Sequence, residues 1–149
     1  MPVRCEINLL TPSGTPIVAK DSIVYLGATL STTGQLRGEL GKRFGAAWGE
    51  FCRHSRAWKH TAISTARKIQ VFQALVTSKV MYSLNLAWLN KAERRMLDGF
   101  QAKCIRRILH IPHAYISRIS NQDVLSRAGQ QSYTTQLLKH QLLWFGKKK

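Results

Sequence analysis

Apolar residues recur every third or fourth position from Gly34 onward, whereas before Gly27 they alternate or fall in short runs, so the pattern predicts a small sheet followed by helices. Val3, Cys5, Ile7 and Leu9 alternate with Arg4, Glu6 and Asn8, the period of a strand with one buried face. Thr11-Pro12-Ser13-Gly14 reads as a turn, and residues 17–19 and 23–26 are short apolar runs split by Lys20-Asp21. A small antiparallel sheet ending at Gly27 is therefore expected. Three strands alone bury too little to stand by themselves and need a helix or a neighbour.

Leu36, Leu40, Phe44, Trp48, Phe51 and Trp58 predict one first helix, supported by the pairs Glu39 with Arg43 and Glu50 with His54. Gly38, Gly41, Gly45 and Gly49 fall along one stripe of it, at a cost of about 1 kcal/mol each relative to Ala. Either another backbone lies close there, or selection on the stripe is relaxed. A second helix starts after Ser64 as N-cap and buries Ile69, Phe72, Val76, Val80 and Leu84. Asn90-Lys91-Ala92-Glu93 has the form of a capping box opening a third helix, with Leu97, Phe100, Cys104 and Ile108 inside and Pro112 as its stop. Ser120 with Asp123 predicts a short fourth helix ending at Gly129, and Leu137, Leu138, Gln141, Leu142 and Phe145 predict a fifth. The expected fold is mainly α. A β element over residues 1–30 precedes a bundle of about five helices over 34–146, and 147–149 form a basic tail.

Charge changes the picture from fold to partner. The 149 residues carry 23 Lys and Arg against 7 Asp and Glu, a formal charge of +16. A field of that sign condenses on phosphate and releases counterions, so the expected partners are RNA, DNA or an RNA-DNA hybrid. The aromatic and aliphatic content places this charge on a folded surface, since a disordered basic tail would lack both. No two acids are adjacent, which leaves no carboxylate pair for two-metal chemistry. Cys5, Cys52 and Cys104 are odd in number and widely spaced, the usage of a reducing compartment. No signal peptide or membrane-spanning run is visible, so an intracellular setting is expected, the nucleus included.

Two basic clusters stand out. Lys91, Arg94, Arg95, Lys103, Arg106 and Arg107 are assigned to the third helix on the side opposite its core stripe, with only Glu93 and Asp98 among them. Arg53, Arg56, Lys59, Arg67 and Lys68 flank Trp58, which is open to two uses, a core residue or a stacking platform. Cys52-x-His54 with His60, and His110-x-x-His113, lack zinc spacing, so neither metal nor cofactor is expected. There is no Gly-x-Ser-x-Gly and no phosphate-binding loop, and Cys104 lies on an apolar stripe where a thiol is inert.

Specific words in the chain resemble the segment after the catalytic palm of LINE-type (non-LTR) retrotransposon reverse transcriptases. They are Ile23-Val24-Tyr25-Leu26-Gly27-Ala28, Gly34, Glu39-Leu40, Arg43, Trp58, Lys68-Ile69, Leu75-Val76, Tyr82 and Trp88-Leu89. The order continues through Arg94-Arg95, Leu97-Asp98, Phe100-Gln101, Cys104-Ile105-Arg106-Arg107-Ile108-Leu109 and Ser117-Arg118-Ile119-Ser120-Asn121. The resemblance implies a helical thumb that grips a template-primer duplex. Tyr25, Leu26 and Gly27 would stand at the palm to thumb junction, and Arg94, Arg95, Arg106, Arg107 and Arg118 among the backbone contacts. The Asp-Asp hairpin, the palm and the fingers are absent from this sequence, so no enzyme activity carries over. Trp144-Phe145-Gly146 leads into three lysines rather than the family's His and basic stretch, and a chain truncated at both ends is expected. The missing palm and fingers are then natural partners. The alternatives are a retroelement remnant with no cellular role, and a stand-alone helical DNA-binding module built on residues 120–129 and 133–145.

Overall fold

The computed structural model describes residues 10–17, 20–25, 28–31, 36–82, 84 and 87–146. The chain divides into two units, residues 1–34 and 35–149. In the first, Gly14 at φ 81° closes the turn predicted at residues 11–14, where its N–H donates to the Thr11 carbonyl at 2.8 Å. Strand β1 (Ser22–Tyr25) pairs antiparallel with β2 (Ala28–Ser31), Ser22 opposite Ser31 and Tyr25 opposite Ala28. The sheet therefore continues beyond Gly27, a correction to the expected boundary. Every residue of β1 is exposed, the apolar run Ile23, Val24 and Tyr25 included. Residues 3–9, 18–19, Leu26, Gly27, Gly34 and the 147–149 tail, which carried other sequence expectations, lie outside the described residues.

The second unit is mainly α. Helix α1 (Arg37–Arg53) breaks at His54 into α2 (Ser55–Lys59), where a single helix was expected. The break has a local reason. Helix ends leave carbonyls without partners, and turning at His54 lets the Trp58 indole N–H reach back to the Phe51 carbonyl at 2.7 Å. Its ring stacks on Phe51, centroids 5.2 Å apart. Trp58 is thus buried core, which decides between its two uses. Phe51 continues this aromatic spine edge-on to Phe72 and stacked with Trp48, while Phe44 stacks on Phe100 at 4.9 Å. Such pairs add about 0.5–1.5 kcal/mol each beyond their burial.

Ser64 caps α3 (Thr65–Phe72), accepting the Arg67 N–H. A π-helical turn (Gln73–Thr77) and α4 (Ser78–Met81) continue it. Ile69, Phe72, Val76, Val80 and Leu84 are all buried, as expected. On an α-helix each four-residue step overshoots a full turn by about 40°. The wider π turn takes back part of that overshoot, which keeps the repeated four-residue spacing on one face.

Helix α5 (Lys91–Ile108) is the centre of the bundle and opens with the predicted capping box. Asn90 Oδ1 accepts the Glu93 N–H at 2.9 Å, and Glu93 Oε2 accepts the Asn90 N–H at 2.9 Å. The second oxygen of Glu93 accepts the Leu36 N–H at 3.2 Å, so one buried carboxylate serves the starts of both α5 and α1. α5 ends in a Schellman motif, with the Ile111 N–H on the Arg106 carbonyl, the His110 N–H on that of Arg107, and His110 at φ 55°. A one-turn helix α6 (Ala114–Ser117), which periodicity did not indicate, follows before α7 (Asn121–Arg127) and α8 (Tyr133–Phe145). α7 starts at Ser120 and stops at Gly129, φ 63°, as expected.

α5 also builds the start of α8. Asp98 Oδ1 accepts the Thr134 N–H, and Gln101 accepts from the Tyr133 N–H at 2.8 Å while donating to the Gln131 carbonyl. Tyr133, Leu137 and Gln141 turn inward, whereas Leu138, Leu142 and Phe145, part of the pattern that predicted this helix, are exposed. Among the described residues no helix is long and apolar enough to cross a membrane.

Candidate nucleic-acid interface

Lys91, Arg95, Gly99, Lys103 and Arg107 follow one another at intervals of four along α5. Its four cations are all exposed. A four-residue step rises about 6 Å, so the row runs for about 24 Å along the helix, with its one gap at Gly99. At about 40° of drift per step the row winds about 160° round the helix, so the fold gathers the predicted basic surface into two exposed pairs, Lys91 with Arg95 and Lys103 with Arg107. The row's C-terminal half rests on an aromatic support, because Lys103 Nζ lies 4.3 Å and the Arg107 guanidinium carbon 4.7 Å from the centroid of the Trp48 ring. A cation held over an indole face keeps its charge while losing freedom. Nothing in the spacing of Trp48 separated it from its core neighbours, and only the approach of α5 reveals this role.

Two expected contacts point elsewhere. Arg106 is 6 % exposed. Its Nη1 donates to the Pro112 carbonyl and Ser117 Oγ, and its Nη2 to the Ile119 carbonyl and Asn121 Oδ1. The segment after α5 folds back over this guanidinium, and so an arginine assigned to the solvent side becomes an internal pin. Lys68, 7 % exposed, likewise belongs to the buried side of α3. Both are corrections to the expected surface. Arg94 is half-buried.

The other sequence-derived cations are on the surface but scattered. Arg56 and Lys59 are exposed on α2, Arg67 donates to Gln70 Oε1 on α3, and Arg118 is exposed at φ 51° after α6. Arg53 lies 3.7 Å from Glu50, a carboxylate shared with His54 and with Lys79 Nζ at 2.6 Å. Tyr25 is exposed on β1 in the first unit.

The acids explain why the row is left uncompensated. Glu39 pairs with Arg43, Glu50 with Lys79, and Glu93 caps two helices. Asp98 caps α8, and Asp123 accepts from Ser120 at the start of α7. All five acids of residues 35–149 are thus engaged in holding helices together. Among the described residues none forms an ion pair with Lys91, Arg95, Lys103 or Arg107.

Two clefts open beside the C-terminal end of the row. One, of about 370 Å³, is lined by Gly99, Lys103, Arg107, Pro112, His113 and Asn121 among others. The second, of about 400 Å³, lies between α2 and the turn after α5, against Phe51, Trp58, Lys59, Arg107, His110 and Ile111. Cys104 is buried on the inner side of α5, and desolvation pushes its thiol up to about 12. At neutral pH it is a protonated packing residue rather than a nucleophile. Among the described residues no group of three His, Cys, Asp or Glu side chains is placed to hold a metal ion. The glycine stripe of α1 also has a plain geometry. A Cβ built at Gly38, Gly41, Gly45 or Gly49 meets nothing within 4 Å, so no backbone of the described chain packs there.

Compared with known proteins, no family model, no curated protein and no solved structure matches this chain.

Proposed function

We propose that the helical unit binds RNA, DNA or an RNA-DNA hybrid through the phosphate backbone, as the thumb region of a LINE-type reverse transcriptase would, without polymerase chemistry of its own. The observation that carries this reading is the exposed row Lys91, Arg95, Lys103 and Arg107, in a unit whose five acids are all committed to its own helices. Two pairs of cations, each spaced by about 6 Å on a rigid helix, suit neighbouring phosphates, and contacts of that kind read no bases. Such a role belongs inside the cell, the nucleus included. A palm and fingers region is a natural partner in this reading.

Fluorescence anisotropy against a short duplex at several salt concentrations tests the reading. Neutralising four duplex phosphates predicts a log-log slope of roughly −3.6. Lys103→Ala and Arg107→Ala should each flatten that slope by about 1. Flat salt dependence, or no binding to duplex at low salt, overturns the proposal. Strong discrimination between duplex sequences would instead point to α7 and α8 as a base-reading helix pair.

A second reading is favoured by the exposed apolar residues Ile23, Val24 and Tyr25 of β1 and Leu142, Leu143, Trp144 and Phe145 of α8. Surfaces of this kind suit a piece of a larger protein, left as a remnant with no cellular role. A cooperative thermal transition of the isolated chain would count against that reading.

A further inference from the structure

We infer that Tyr115 of α6 is a stacking platform for an unpaired base, so that the interface favours a strand end or overhang over uniform duplex. The inference rests on the phosphate-binding reading and adds a place for a base. Tyr115 is 89 % exposed and its neighbour Ile116 63 %, and none of the four residues of α6 is buried. A single helical turn that packs nothing beneath itself has little reason of its own to form, yet this one is firmly held. Arg106 grips the segment from Pro112 to Asn121 through four acceptors, Ser117 Oγ donates to the His113 carbonyl at 3.2 Å, and Arg118 ends the turn at φ 51°. An aromatic ring shown to solvent on a backbone fixed in advance loses little freedom when a flat partner covers it.

The surroundings select that partner. Between Asp98 and Asp123 the chain carries no acid, but it carries Lys103, Arg106, Arg107 and Arg118. Asp98 is engaged at the start of α8, and Asp123 with Ser120. Ala114, the residue before Tyr115, lines the cleft of about 370 Å³ together with Lys103, Arg107 and His113. Phosphates held on Lys103 and Arg107 therefore bring a strand to the foot of α6, where an uncovered ring follows the cations. A base that has left its stack offers the flat face such a ring takes, whatever its sequence. A protein partner fits less well, because two side chains fall far short of the roughly 800 Å² per partner that a stable protein interface covers.

The test compares three probes by anisotropy, using the full chain: a blunt duplex, the same duplex with a short overhang, and one whose overhang has equal phosphates but abasic sugars. The base-bearing overhang should bind about fivefold or more tightly than the abasic one. That preference should disappear in Tyr115→Ala and persist in Tyr115→Trp, which keeps a stacking face. The exposure of Tyr115 lets both variants fold, as far-ultraviolet circular dichroism would confirm. Because Tyr115→Ala removes no charge, its salt slope should equal that of the parent chain, unlike that of Lys103→Ala. Equal binding of the base-bearing and abasic overhangs overturns the inference and leaves Tyr115 and Ile116 to a protein partner, even where salt-dependent duplex binding upholds phosphate recognition. A preference that survives Tyr115→Ala overturns the assignment to this ring. Absence of binding to all three probes overturns the phosphate reading itself, and this inference with it.

Discussion

Arg106 Nη2 donates to Asn121 Oδ1 at 3.1 Å, joining the last turn of α5 to the first residue of α7 across the segment that carries α6. The neighbouring Arg107 points outward onto Trp48 and the surface row. Two consecutive arginines therefore have opposite assignments. Arg106→Ala leaves the Pro112 and Ile119 carbonyls without their donor and should cost about 3 kcal/mol in urea denaturation. Arg106→Lys should not restore it, because an ammonium cannot span the four acceptors of a planar fork. Arg107→Ala should change stability by less than about 0.5 kcal/mol and show itself in nucleic-acid affinity instead.

Glu93 is the second such point. Its carboxylate accepts from both Asn90 and Leu36, so Glu93→Ala removes acceptors at two helix starts in one substitution. The expected loss is about 2–3 kcal/mol, against about 1 for the exposed cap variant Ser120→Ala. Thermal unfolding of the two variants side by side measures the difference.

Glu50 links α1 to α4. The hydrogen bond from Lys79 holds its carboxyl below the ordinary carboxylate range, the charges of Lys79, Arg53 and His54 add to that, and burial opposes it. A depressed folded value means that the stabilisation is full above the unfolded pKa and is lost as pH falls through the folded one. Stability should thus decline with acid below the normal Glu range. In Lys79→Met that part of the pH dependence should shrink, as chemical denaturation at several pH values would show.

Cys104 and Cys52 should react at very different rates. Cys104 is fully buried, with its thiol held up near 12 by desolvation, while Cys52 is exposed. Peptide mapping after brief alkylation at mild alkaline pH should find Cys52 modified and Cys104 protected until denaturant is added. Equal labelling of the two in native buffer would contradict the packing of α5.

The α1 glycines predict a gain rather than a loss. Gly41→Ala and Gly45→Ala place methyl groups in open space on an exposed helix face and should each stabilise by about 0.5–1 kcal/mol. Differential scanning calorimetry would register both. No gain from either would mean that the face is engaged by something outside the described chain.

Helix starts were the most legible part of the chain, because a cap is a local event. Ser64, Asn90 with Glu93, and Ser120 each needed only residues three positions away, and each is where periodicity put it. The second helix's core stripe was equally plain. What failed depended on distant partners. The break at His54 exists so that Trp58 can satisfy Phe51, and α5 ends in a left-handed residue that is His rather than the Gly that usually signals such a stop. Arg106 reads as solvent-facing until the chain folds back over it. The apolar residues of α8 suited two faces, and only docking by Tyr133, Leu137 and Gln141 chose between them. Of the interface, charge and helix were visible in advance. The Trp48 support and the two clefts were not, since each joins residues of separate helices.

The π-helical turn makes length adjustable in the helix that contains it. Gln73 donates from this turn to Gln130 at 2.6 Å, and Thr77 meets the Tyr133 hydroxyl at 2.7 Å, so both of its ends are tied to the other side of the bundle. Excising Ala74, exposed within the turn, would leave a more regular α-helix. Five residues at the π pitch and four at the α pitch both advance roughly 400°, so Val80 and Leu84 would stay on the buried face. Loss of a single codon at such a position is absorbed by the turn, whereas the same loss within a regular α-helix rotates everything beyond it.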